Sequence, residues 1–245
     1  MAKLSPAATL RFTPDRMSSR PSGPKTDLLT SATSRRPREE SLMRRCLFLL
    51  LFVWCAIASA ADAPRKVLVL GDSLSAAHNI PVEAGWVRLL DARTSKMATP
   101  WTMVNASISG ETSLSGRNRL PGLLQKQHPS VVVIELGAND GLQGLPLGQL
   151  AGNLDGMIEA AKGAGAKVLL LGIELPVNYG PQYRDGLRKV YADAARKHDV
   201  GLVPFLLDGV ALDPSLMQDD GLHPTAQGEP RVADNVWKAL TPLLR

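Results

Sequence analysis

The chain has 245 residues, with 28 Lys and Arg against 23 Asp and Glu, a length that allows one or two domains. Its net charge of +5 belongs to residues 1–60, which hold 10 basic and 4 acidic side chains and leave 18 and 19, a net −1, to the rest. The basic balance is therefore no argument for nucleic-acid binding. Both cysteines, Cys46 and Cys55, also lie in that segment, so the remainder has no disulfide and no cysteine ligand or nucleophile.

Residues 1–42 are rich in Ser, Pro, Thr and Arg with little apolar periodicity, a composition that buries too little surface to order itself. Then comes "MRRCLFLLLFVWCAIASAAD" from Met43. Two arginines, an apolar run and Ala58-Ser59-Ala60 form a secretory signal-peptide pattern, too short for a comfortable membrane span. Cleavage is expected after Ala60, and 1–42 reads as a disordered extension or a start placed too far upstream. Residues 61–245 remain as one domain, long enough to bury a core without staples.

That domain alternates. Strands are expected at 66–71 ("KVLVLG"), 101–107, 130–137 ("SVVVIELG"), 167–175 and, more weakly, 200–206. Helices are expected at 86–96, 113–127 (interrupted or kinked near Pro121), 147–165, 182–198 and 229–244. Strands separated by helices of this length imply right-handed parallel crossovers. The expected fold is a three-layer α/β/α sandwich, with a flavodoxin-like, doubly wound, five-stranded parallel sheet.

Ligands in such folds sit at the carboxyl ends of the strands. The loops due there are "GDSLS", "NASISGETS", "GAND" and, before the terminal helix, "MQDDGLHPT". Taken alone, Ser73 reads first as a polar cap for the next helix and second as a nucleophile. Ester cleavage needs a hydroxyl, a base, a carboxylate to orient the base, and donors for an oxyanion. Of the four histidines, His128 and His198 belong at the opposite edge of the sheet. His78 follows the Ser73 loop and could line a pocket. His223 follows Asp220 by three residues, with Gly221 to allow a tight turn, so the carboxylate can reach one ring nitrogen and leave the other for a serine.

The blocks "GDSLS", Gly110 in "ISG", "GAND" and "DGLHP", in that order, resemble the SGNH (GDSL) hydrolase family. The longer stretches "VNASISGETS", "VVIELGANDGL", "LPVNYG" and "MQDDGLHP" resemble its bacterial thioesterase, lysophospholipase and arylesterase members. The resemblance spans about residues 64–245 and implies a periplasmic or secreted serine esterase or thioesterase working through an acyl-enzyme. By position it makes Ser73 the nucleophile, His223 the base and Asp220 its orienting partner. The oxyanion hole would take the Ser73 and Gly110 N–H groups and the Asn139 amide. Ala77 and Ala138 stand where a relative in that family has glycine, and the first of these puts the shape of the loop after Ser73 in question.

Several neighbours read as structural: Asp72, Asp140 and Asp219 as turn-bonding carboxylates, Glu135 as an acceptor for loop donors, Asn105 as a tie between the first two loops, and Trp86 and Trp237 as core. Leu142, Leu145 and Leu147 in "GLQGLPLG" would suit an acyl chain and fit equally well as packing ahead of a helix. A carbohydrate O-deacetylase would share the triad and differ in its pocket. A flavodoxin-like phosphate-binding module is disfavoured, because no glycine-rich phosphate loop follows the first strand and Asp72 would repel an anion. No cofactor, metal, nucleic acid or lasting membrane anchor is expected; the expected partner is a small acyl ester or thioester, and the expected state is a monomer.

Overall fold

The computed structural model describes residues 65–245; the expected leader, its cleavage after Ala60 and the 1–42 extension lie outside them. The apolar runs form five strands, β1 (Arg65–Gly71), β2 (Trp101–Asn105), β3 (Val131–Glu135), β4 (Lys167–Leu171) and β5 (Gly201–Val203). All pair in parallel, in the order β2-β1-β3-β4-β5. β1 and β3 are central, and Val67–Leu70 and Val131–Ile134 are fully buried, which is why both read as unbroken apolar runs. β2 is an edge strand. It alternates, with Trp101 and Met103 buried and Thr102 exposed.

Helices cover both faces of the sheet. In chain order they are α1 (Trp86–Thr94), α2 (Ser113–Gln127), α3 (Ala138–Leu142), α4 (Leu147–Gly163), α5 (Pro181–His198) and α6 (Glu229–Leu240). α1 packs with α6, and α4 packs between α2 and α5. Winding runs from β1 outward to β2, then back across to β3. The reversal leaves a crevice between the carboxyl ends of β1 and β3, where this strand order binds its ligands.

Three local expectations need correction. α2 runs without interruption through Pro121, which is exposed, so the carbonyl its ring leaves unbonded can be solvated. β4 ends at Leu171, not at 175. Gly172 turns there against the Pro204 carbonyl, which would lie 2.3 Å from an added Cβ, and the chain leaves the sheet carrying Ile173 and Leu175 with it. Finally, no regular helix follows Ser73. Residues 73–79 are turns, and Ala77 and Asn79 have φ of 59° and 55°, a left-handed geometry that breaks helical propagation.

The first long helix, α1, starts behind Gly85, which has no side chain to cap it. Its cap comes from the other end of the chain: the Trp86 N–H donates to Glu229 Oε2 at 2.7 Å. Glu229 is 2% exposed, and burial pushes its carboxyl up to about 7 from 4.5, against the lowering effect of that N–H. The folded state therefore binds more protons than the unfolded chain between about pH 4.5 and 7, and stability falls as pH rises through that window. The full loss is on the order of 3 kcal/mol, at about 1.4 kcal/mol per pKa unit. Glu229→Gln keeps an acceptor for Trp86 and abolishes the titration. Thermal melts should show the variant more stable than the parent at pH 8, with the gain shrinking towards pH 5; a gain independent of pH would refute the assignment.

Candidate active site

The site begins with a carboxyl buried under a turn. Glu135 ends β3 fully buried. Its Oε2 accepts from the Asp72 N–H (3.1 Å) and the Ser75 hydroxyl (2.8 Å). An added Cβ on Gly71 would lie 2.7 Å from that same oxygen, so only glycine allows the approach. Asp72 Oδ1 accepts from the Leu74 N–H at 3.0 Å, an Asx-type turn, and Asn105 donates to the Ser75 carbonyl at 2.8 Å. The turn holding Ser73 is thus tied to β3 from below and to the β2 loop from the side. Burial, reinforced by the adjacent Asp72 carboxylate, pushes Glu135 well above the usual carboxylate range. Burial also raises Asp72, to about 6, opposed by its hydrogen bonds.

Ser73, half-buried, caps no helix. Its Oγ lies 2.8 Å from His223 Nε2, and His223 Nδ1 lies 2.7 Å from Asp220 Oδ2. The loop before α6 builds this reach. Asp220 Oδ1 accepts from the N–H groups of Leu222 (2.9 Å) and His223 (3.0 Å), and Gly221 sits at φ 64°. Burial alone would raise the Asp220 carboxyl; the bonds from Leu222 N–H and His223 outweigh it and bring it down to about 2. Asp220 is therefore ionised across the range in which an imidazole titrates. Its bond to Nδ1 sets the tautomer that leaves Nε2 free to accept a proton.

The loop 106–112 brings the second element. Gly110 adopts φ 80° and lines the same cleft as Ser73. The loop is anchored by hydrogen bonds from the Ala106 and Ile108 N–H groups to Val69 and Gly71 carbonyls. An ion pair between buried Glu111 and half-buried Arg119 adds to this, with Arg119 also donating to the Ala106 carbonyl at 2.7 Å. Asn139, in the first turn of α3, donates to Asp72 Oδ2 (3.1 Å) and to the Glu111 carbonyl (3.0 Å). Both hydrogens of its amide are thus committed, whereas the N–H groups of Ser73 and Gly110 have no acceptor among the described residues. Asp140 takes the Ser113 N–H at 2.8 Å and so caps α2.

These groups open onto a cleft of about 290 Å³. His78, Leu142 and Ala138 line it. Leu145 is not among the lining residues: its backbone is tied to the Asp140 carbonyl and the Tyr183 hydroxyl. The apolar wall comes from residues the sequence reading did not single out, including Leu74, Ile173, Leu175, Leu207 and Leu222. The usable signal was the apolar "IEL" just past a strand's carboxyl end. Glu111 and Arg119 were missed as well; eight residues apart, their pairing shows only in three dimensions.

A hydroxyl, an imidazole and an ionised carboxylate in hydrogen-bond contact, beside two unengaged N–H donors, can perform acyl transfer. Residues 69–230 match the GDSL-like Lipase/Acylhydrolase family. The chain belongs to that family. It is 47% identical over 203 residues to "Esterase TesA" of Pseudomonas aeruginosa, covering 83% of this chain and 98% of that protein. It is 42% identical over 197 residues to "Thioesterase 1/protease 1/lysophospholipase L1" of Escherichia coli K12, covering 80% and 92%. Among solved structures, psychrotrophic esterase EstA from Pseudoalteromonas sp., inhibited by monoethylphosphonate, superposes with a TM-score of 0.70 at 36% identity, covering 74% of this chain and 98% of that one. This family member is a carboxylic ester hydrolase.

Ala77 stands beside the nucleophile turn in a left-handed conformation that costs an L-residue roughly 1–2 kcal/mol. Ala77→Gly removes that strain and adds backbone entropy to the unfolded chain. Urea unfolding should show a net gain of up to about 1 kcal/mol; a net loss would show that the alanine methyl contributes packing that outweighs the strain.

Proposed function

We propose that the protein hydrolyses acyl esters and acyl thioesters through an acyl-enzyme, with Ser73, His223 and Asp220 as nucleophile, base and orienting carboxylate. The observation that carries this reading is the unbroken contact from Asp220 through His223 to Ser73, at 2.7 and 2.8 Å, at the mouth of an apolar cleft. His223 Nε2 takes the hydroxyl proton as Ser73 Oγ attacks the carbonyl carbon, and Asp220 stabilises the imidazolium. The same proton then goes to the leaving alkoxide or thiolate. Water, deprotonated by His223, releases the acyl group.

The oxyanion of each tetrahedral intermediate is received by the Ser73 and Gly110 N–H groups. Asn139 joins them by giving up its bond to the Glu111 carbonyl, since a charged acceptor draws a hydrogen more strongly than a neutral one. Asp72 meanwhile retains the other amide hydrogen and keeps the side chain aimed. Leu74, Leu142, Ile173, Leu175, Leu207 and Leu222 receive the acyl chain. A wall of leucines favours this over a carbohydrate O-deacetylase, whose substrate hydroxyls would be left unpaired there, and the nearby Asp72 disfavours a phosphate-binding module.

Residues 61–245 form the working domain. Residues 43–60 act as a leader removed after Ala60, which puts the enzyme, as a monomer, in the periplasm or outside the cell. The support is the leader pattern in the sequence. No helix among the described residues is long and apolar enough to cross a membrane.

A serine-directed fluorophosphonate should label the protein and fail on Ser73→Ala; equal labelling of that variant would remove Ser73 as the nucleophile. Asn139→Ala should keep its fold and lose about 10²–10³ in kcat. A chain-length series of aryl esters and acyl thioesters should show kcat/KM rising with added methylenes until the cleft is filled, by up to a factor of about 4 per methylene if each is fully buried at ~0.8 kcal/mol. A preference for acetylated sugars over longer acyl chains would instead establish the deacetylase.

A further inference from the structure

His78 is the second imidazole of the cleft, and the proposed reaction does not use it. It sits between two left-handed residues, Ala77 and Asn79, and its ring lies against that of His223, with centroids 4.3 Å apart and planes tilted by 37°. The two loops are clamped together by one amide: Gln218 Nε2 donates to the His78 carbonyl (2.9 Å) and to the Pro224 carbonyl (2.8 Å). The juxtaposition is therefore built into the backbone. One ligand atom each from His78, Asp220 and His223 lie within 4.8 Å of one another.

We propose that His78, Asp220 and His223 form an inhibitory binding site for a borderline divalent metal ion of the Zn²⁺ type. Two imidazoles and a carboxylate are the donor set such an ion takes, with bonds of about 2.0–2.2 Å and water in the remaining position. Tetrahedral coordination at those lengths wants ligand atoms about 3.3 Å apart. The Asp220–His223 pair at 2.7 Å needs to open slightly, and His78 needs to swing inward by side-chain rotation. Both movements are available because Asp220 is exposed and His78 only half-buried.

The inhibition follows from the tautomer. The ion takes the Nδ1 lone pair of His223, in the place of the proton shared with Asp220. In the neutral ring that proton moves to Nε2, with no net release and no redox change. Nε2 then carries N–H towards Ser73 and can no longer accept the hydroxyl proton. Binding itself is independent of any catalytic role; its inhibitory effect rests on the reading of His223 as the base.

The test uses the full chain with Cys46→Ser and Cys55→Ser, so that thiols do not compete for metal. ZnCl₂ is titrated by calorimetry and, in parallel, against hydrolysis of an aryl ester, each protein compared with its own metal-free rate. Zinc should bind and progressively abolish hydrolysis, with EDTA restoring it. His78→Phe and His78→Gln, two variants checked for folding by circular dichroism, should each weaken both binding and inhibition by about tenfold or more. Equal binding and inhibition in the parent and both variants overturns the site. Zinc binding that depends on His78 but leaves hydrolysis untouched overturns the inhibitory role and, with it, His223 as the base.

Discussion

A buried carboxyl under a glycine is the constraint on which the rest of this site rests. Glu135 ends the central strand β3, and its single bonded oxygen gathers the amide of Asp72 and the hydroxyl of Ser75. Burial and the neighbouring Asp72 both disfavour its charged form. Asp72, held by its N–H bond to Glu135, orients Leu74 N–H on one side and the Asn139 amide on the other. Two elements remote in sequence, the Ser73 turn and the start of α3, are thereby set relative to each other through one pair of carboxyls. Removing the pair's proton would bury two adjacent charges, which a low-dielectric interior strongly disfavours.

The sheet supplies the framework for that arrangement. Because winding reverses between β1 and β3, their carboxyl ends are neighbours with no crossover covering them. β1 delivers Ser73, β3 delivers Glu135 and Asn139, and edge strand β2 delivers Gly110. The chain past β4 and the loop before α6 complete the cleft with leucines and His223. The same loops supply polar groups and apolar wall: Leu74 follows Ser73, Leu142 shares α3 with Asn139, and Leu222 precedes His223.

Much of this was legible in the sequence, and for a physical reason. Central parallel strands are apolar on both faces, so "VLVL" and "VVVI" announced themselves, and the residues of the relay sit in short turns with distinctive composition. Leu142 and His78 were placed at the cleft by proximity in the chain. What could not be read were relations set by packing at a distance. The cap of α1 is Glu229, 143 residues beyond Trp86. Leu145 had the right chemistry and the wrong backbone ties. Ile173 and Leu175 were read as strand because their departure from the sheet depends on the Pro204 carbonyl crowding Gly172. The left-handed Ala77 gave only an indirect sign, as an alanine at a position where a relative has glycine.

The bond between Trp86 and Glu229, together with the contact between Ser73 and His223, 150 residues apart, sets an order of assembly. All five strands are complete by Val203, yet neither His223 nor Glu229, the cap of the first long helix, exists until the last tenth of the chain arrives. A chain stopped short of Met217 has all five strands and Ser73, but lacks the imidazole in contact with that hydroxyl and the buried face of α6, Val232, Val236 and Leu240, that closes the core. The contact to Ser73 and the anchoring of the first long helix are therefore delivered by the same final segment, which also completes the core.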